Sequence, residues 1–177
     1  LGVVTEVTVR ILRKPSTQRA MLVGFESALD AGKAVSDVIS AGIIPAGMEM
    51  MDNPAITAAE DFVNVGYPRE AAALLIVELD GPTVEVDALL EAVERIMRKA
   101  GANSVRLSQS EQERIDFWSG RKAAFPAVGR ISPDYLCMDG TIPRKALPEM
   151  LVKISSLSQQ YGLRVANVFH AGDGNLH

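Results

Sequence analysis

The chain holds two histidines, and both lie in its final stretch, His170-Ala171-Gly172-Asp173-Gly174-Asn175-Leu176-His177. Between them, Gly172-Asp173-Gly174 favours a tight reversal, because glycine reaches backbone torsions that a side chain forbids. The apolar run 165–169 leads into the first histidine and reads as a strand. A strand, a turn and a returning segment bring two imidazoles close, since cross-strand Cβ atoms stand roughly 4.5–5.5 Å apart. Neutral imidazole is the commonest protein ligand for divalent ions, which makes His170 and His177 candidate metal ligands. The competing reading is a pair of surface histidines on a hairpin, each satisfied by water or a backbone carbonyl. Asp173 is a weaker candidate, because a turn aspartate more often caps its own backbone.

A second group is Asp116-Phe117-Trp118-Ser119-Gly120-Arg121-Lys122, with the only tryptophan and two adjacent cations. Arg121 can clamp a carboxylate through two parallel hydrogen bonds, a geometry lysine cannot reproduce. The alternative is a solvated helix face, with Phe117 and Trp118 in the core and Arg121 paired to a nearby acid. In residues 45–52, three methionines suggest core filling, and Glu49 among them needs a partner if buried. We also consider Glu49 a candidate contact for a cofactor. Met138-Asp139-Gly140-Thr141 reads as a strand ending in a turn. Cys137 has no histidine nearby in sequence and reads as packing rather than reacting.

The elements that must position these residues follow from periodicity and punctuation. Strands are expected at 3–12, 19–25, 43–51, 72–79, 105–107, 135–142 and 164–169. Helices are expected at 28–41 closed by Gly42, at 53–64, at 84–100 closed by Gly101, at 110–124 with Ser110 and Glu113 as a capping box, and at 144–161 closed by Gly162. Residues 126–133 read as an irregular loop. The order β-β-α-β-α-β-α-β-α-β-α-β points to an α+β fold. Ferredoxin-like βαβ units would form an antiparallel or mixed sheet with helices mainly on one face. No Gly-x-Gly-x-x-Gly follows a strand, so a dinucleotide fingerprint is absent.

Composition bounds the function. With 177 residues, 47% hydrophobic, and a mean hydropathy of +0.12, the chain can bury a real core. The net charge of −4, with no Lys/Arg run, argues against nucleic acid as a partner. A single cysteine excludes an internal disulfide and fits a reducing compartment. No apolar run approaches the roughly 20 residues of a membrane span. These features suit a cytoplasmic protein, or one peripheral at the inner membrane. The chain opens inside a strand and stops on a histidine, which reads as a piece of something longer.

Three stretches carry a resemblance to a known family. Residues 117–130, 135–144 and 165–177 are each similar, almost word for word in the first two, to the FAD-linked oxidases that include the D subunit of bacterial glycolate oxidase and the FAD-dependent D-lactate dehydrogenases. Leu1-Gly2-Val3-Val4-Thr5-Glu6 resembles the last strand of that family's FAD-binding domain. The resemblance implies that residues 1–15 are this strand and a linker. It implies that residues 16–177 are the substrate-side cap domain, cut short at its C-terminus, of an enzyme oxidising glycolate or D-lactate to the 2-oxo acid. Arg121 then matches the position gripping the substrate carboxylate, and His170 and His177 match two ligands of a divalent metal (zinc, iron or manganese). The FAD would be held mainly by the FAD-binding domain of the same parent chain.

The same resemblance places a further glutamate ligand and the acid/base histidine beyond His177, so no catalytic residue is expected within the chain and it should not turn over alone. Relatives acting on hydroxyglutarate carry a lysine where this chain has Cys137, which argues against a second substrate carboxylate. Expected partners are the 2-hydroxy acid, the FAD-binding domain and other oxidase subunits. The rival from another class is a non-catalytic ferredoxin-like ligand-binding or oligomerisation module.

Overall fold

The computed structural model describes residues 2–11 and 14–177. Seven strands and five helices are described: β1 (Thr17–Phe25), α1 (Ala28–Ser40), β2 (Gly47–Asp52), α2 (Asn53–Val63), β3 (Ala73–Gly81), α3 (Thr83–Lys99), β4 (Ala102–Leu107), α4 (Glu111–Ile131), β5 (Gly140–Thr141), α5 (Leu147–Tyr161), β6 (Val168–His170) and β7 (Asn175–Leu176). The strands form one antiparallel sheet in the order β4-β1-β3-β2-β6-β7-β5. Its first four strands, with α1 and α3 as crossovers, have the ferredoxin-like arrangement, and the expected α+β class holds.

Helices cover both faces of the sheet. On one face α1, α3 and α5 pack over Met21, Val23, Phe25, Met50, Leu75 and Val77. On the other, α2 and α4 pack over Leu22, Met51, Leu74, Ile76 and Val168. The balance is three helices to two, closer to even than "mainly on one face" would suggest. The cause is legible in β3, where residues 73–79 are buried without a break. A strand buried on both sides reads as a continuous apolar run and not as an alternation.

Local signals account for most boundaries. Ser27 and Ser110 accept hydrogen bonds from the backbone N–H groups of Asp30 and Glu113 as helix N-caps. Gly42 and Gly162 close α1 and α5 at positive φ of 78° and 63°. Three expectations need correction. The strand at 3–12 does not form: the described residues 2–11 are exposed and carry no secondary structure, because an alternating strand with no neighbour cannot satisfy its backbone. Leu12, its expected end, lies outside the described residues, as do Leu1 and Arg13 within the expected strand-and-linker segment. Helix α4 does not stop at residue 124 but runs through Pro126 to Ile131, so of the expected loop 126–133 only residues 132 and 133 lie outside the helix. Proline costs that helix a backbone bond, while Ala124 and Ala127 on either side of it remain buried. The strand expected at 135–142 shrinks to Gly140–Thr141, whose sheet neighbour among the described residues is the two-residue β7.

Candidate active site on the α4 face of the sheet

The site is set by strand register. Glu49 of β2 pairs directly with His170 of β6. Residues 47, 49 and 51 of β2 point to one face and Met48 and Met50 to the other, as the two-residue pleat requires. Helix α4 lies along the first of these faces. A Cβ on Gly47 would stand 3.0 Å from the Trp118 ring, so this glycine lets the indole rest on the strand. Next to it Glu78 of β3 accepts hydrogen bonds from Trp118 Nε1 and Arg114 Nη1, each at 2.6 Å. One turn along α4, Arg121 reaches Glu49. One further turn on, Phe125 stands edge-on to His177 with ring centroids 6.2 Å apart.

At the centre is one carboxylate with two partners. Glu49 Oε2 accepts from Arg121 Nε at 2.9 Å, and Glu49 Oε1 pairs with His170 Nδ1 at 2.7 Å. Glu49 and Arg121 are only 7% and 8% exposed. Nε is the one Arg121 donor bonded to a described residue, yet no buried side-chain polar atom among the described residues lacks a partner. Its Nη groups are therefore not wholly closed off from solvent. His177 lies beside His170 with ring centroids 5.3 Å apart, and its Nδ1 pairs with Asp139. Both histidines thus use Nδ1 on a carboxylate. Since a carboxylate only accepts, each Nδ1 carries a proton, and in the neutral imidazole the free lone pair is then on Nε2.

The hairpin between the histidines is built as its composition predicts. Asp173 Oδ1 accepts from Asn175 N at 3.1 Å, so it caps its own turn. Gly174 has φ of 82° and sits against the Ile142 carbonyl, where a side chain cannot fit. The entry to β6 is pinned by Asp52, which accepts from Asn167 N and Nδ2 at 2.9 and 2.7 Å and caps α2 at Ala55. Burial raises the Asp52 carboxyl above its ordinary value, against the pull of these hydrogen bonds. On the α4 side Tyr67 supports the helix, donating its hydroxyl to the Phe117 carbonyl. Burial likewise holds the Tyr67 phenol well above its usual range.

All four residues singled out in the sequence, Glu49, Arg121, His170 and His177, converge here. Arg121 is paired to an acid, as the competing reading required, and also faces the site. Sequence reasoning missed Asp139, read only as part of a strand and turn, and the aromatic wall of Phe125. Cys137 is exposed, not packed. It lines a small cavity of about 70 Å³ with Phe125, Tyr135, Leu136, Met138 and His177. Leu136 and Met138 are 83% and 70% exposed, so the rim beside His177 is an apolar surface. Among the described residues, no three His, Cys, Asp or Glu side chains are grouped to hold an ion.

The chain is similar to known proteins in sequence and in fold. Residues 14–177 match the family described as FAD linked oxidases, C-terminal domain. The whole chain is 63% identical to glycolate oxidase subunit GlcD of Escherichia coli strain K12, and spans 36% of that protein's length. It is 37% identical to the subunit of the same name from Bacillus subtilis strain 168, spanning 38% of it. A D-lactate dehydrogenase of Anaerostipes hadrus is 27% identical over 184 residues, 100% of this chain and 39% of the relative. Among solved structures, 4-ethylphenol oxidase from Gulosibacter chungangensis has the same fold, with a TM-score of 0.64 at 12% identity over 94% of this chain and 39% of that one.

Proposed function

The chain belongs to the C-terminal domain family of FAD-linked oxidases, and from that premise we propose that residues 16–177 are the substrate-side cap domain of a flavoenzyme oxidising glycolate or D-lactate. Residues 1–15 would be the last strand of its FAD-binding domain and a linker. The alternating, exposed segment 2–11 suits a strand whose sheet belongs to that other domain. The observation that carries the reading is the convergence of Arg121 and the two histidines on one carboxylate-organised surface. A guanidinium, which can bind a carboxylate, near two imidazoles is what supports the reading.

Arg121 offers its Nη groups to the substrate carboxylate while Nε stays on Glu49. His170 and His177 would hold a divalent ion through Nε2, next to the substrate hydroxyl. The ion would supply Lewis acidity at the hydroxyl and the developing carbonyl, and the FAD, held by the other domain, would supply the hydride acceptor. Phe125 and the Leu136–Met138 rim exclude water from the substrate side. The apolar rim also suits contact with the FAD-binding domain, and the word "subunit" in the relatives' names makes further oxidase subunits the proposed partners. Among the described residues no helix is long and apolar enough to cross a membrane.

The test uses the parent flavoprotein, following dye reduction by glycolate and by D-lactate. Arg121→Lys keeps the charge and loses the fork. A charge-assisted contact worth roughly 1.5–3 kcal/mol corresponds to a fall in kcat/KM of about 10- to 100-fold. Unchanged kinetics would remove Arg121 from the substrate, and the absence of turnover with any 2-hydroxy acid would end the reading.

A further inference from the structure

Glu49 is the most enclosed acid of the site, and nothing so far requires it to be an acid. A residue that only filled this space could be methionine, like its neighbours Met48, Met50 and Met51. A carboxylate is costly to bury unless its partners are fixed, and here both oxygens are used, each by a group from a different part of the chain. Arg121 is 72 residues away and His170 is 121. No other polar contact to Glu49 is described.

We propose that Glu49 is the positioning residue of the site: one buried carboxylate that fixes the separation between the carboxylate-gripping guanidinium and the metal-side imidazole, and sets the His170 tautomer. This rests on the reading of His170 and Arg121 given above. The imidazole side follows from valence. A carboxylate accepting from Nδ1 keeps a proton there, so the neutral imidazole carries its free lone pair on Nε2, with the His177 ring centroid 5.3 Å away. The guanidinium side follows from the fork: with Nε held, the Nη edge is the one left to a ligand.

Two measurements on the chain decide this. First, long-range proton–nitrogen NMR correlations of the nitrogen-15-labelled chain at pH 8.5 report the tautomers of its two histidines. His170 is expected as the Nδ1–H form; an Nε2–H imidazole, or an imidazolium at that pH, overturns the proposal without any variant. Second, cobalt(II) titration, read by its visible bands, compares the wild-type chain with Glu49→Gln and His170→Ala, with thermal unfolding as the control for folding. Gln keeps the shape but accepts at one end only, so binding should weaken roughly 10- to 100-fold, the usual cost of losing a partner behind a metal ligand. His170→Ala should abolish it. If Glu49→Gln binds cobalt like wild type while His170→Ala does not, the positioning role fails and the metal reading stands. If His170→Ala binds like wild type, the metal reading itself fails, and the tautomer alone judges Glu49. If Glu49→Gln does not fold, the tautomer again decides.

Discussion

Replacing Gly120 by alanine sets two effects against each other. Alanine is favoured over glycine in a helix interior by roughly 1 kcal/mol, and Gly120 lies inside α4. Its Cβ, however, would stand 2.5 Å from Tyr67 Cζ, with the neighbouring ring carbon and hydroxyl closer still. The Tyr67 ring has nowhere to go. Its backbone N–H is bound to Glu60 at 3.0 Å, its hydroxyl to the Phe117 carbonyl, and the residue is buried. Overpacking a well-filled core costs about 1–3 kcal/mol, and a displaced hydroxyl loses roughly 0.5–1.5 kcal/mol. The clash exceeds the propensity gain, giving a net loss of roughly 1–3 kcal/mol. Urea denaturation should show a lower midpoint with an unchanged slope. In a Tyr67→Ala background the same substitution should be neutral or stabilising by up to about 1 kcal/mol. An equal loss in both backgrounds would refute the reasoning. Because Gly120 adjoins Arg121, this close approach also sets how deep the guanidinium sits.

Two further outcomes are expected. Glu113 accepts from Gln109 N–H at 2.7 Å and from Arg106, which hold its carboxyl below the ordinary 4.5. A carboxyl depressed in the folded state stabilises above its unfolded value and loses that contribution as pH falls through the folded one. The stability gap between wild type and Glu113→Gln should therefore be full near neutrality and close below pH 4.5; a gap that widens in acid would contradict this. Gly174→Ala would force a side chain into positive φ, with its Cβ 3.5 Å from the Ile142 carbonyl carbon and closer to its oxygen. Cobalt binding, read by the visible bands, should fall at least 10-fold as the histidines part, an amount that about 1.4 kcal/mol of misplacement produces; wild-type affinity would show that the hairpin does not set their spacing.

The site was legible where chemistry is concentrated in sequence and illegible where register creates it. His170 and His177 stand out as the chain's whole histidine content around a glycine turn. Arg121 stands out beside Trp118. That Glu49 would need a partner was legible too, because an acid among methionines must find one. Which partner it finds is decided by the β2–β6 pairing, where a slip of one residue would send Glu49 to the other face. Asp139 was hidden for the opposite reason. Its Asp-Gly pair has the look of any turn, and its partner His177 lies in another hairpin. Helix α4 was underestimated because Pro126 is a local stop signal, overridden by the burial of Ala124 and Ala127 on either side of it. The segment 3–12 shows the converse, since its alternation is a genuine strand pattern but a strand needs a neighbour.

The long reach of the Glu49 contacts, 72 residues to Arg121 and 121 to His170, bears on how the chain folds. Contacts this distant in sequence carry a large loop-closure cost before they return any stabilisation, and they slow folding. Strands β1, β2 and β3 pair across shorter separations and can assemble first, with β6 docking on β2 as a late event. Occupation of the histidine pair would then register only completed folding, and a bound ion would add stability through the native state alone, by mass action. In refolding kinetics, cobalt absorbance should lag behind the recovery of helical and sheet signal.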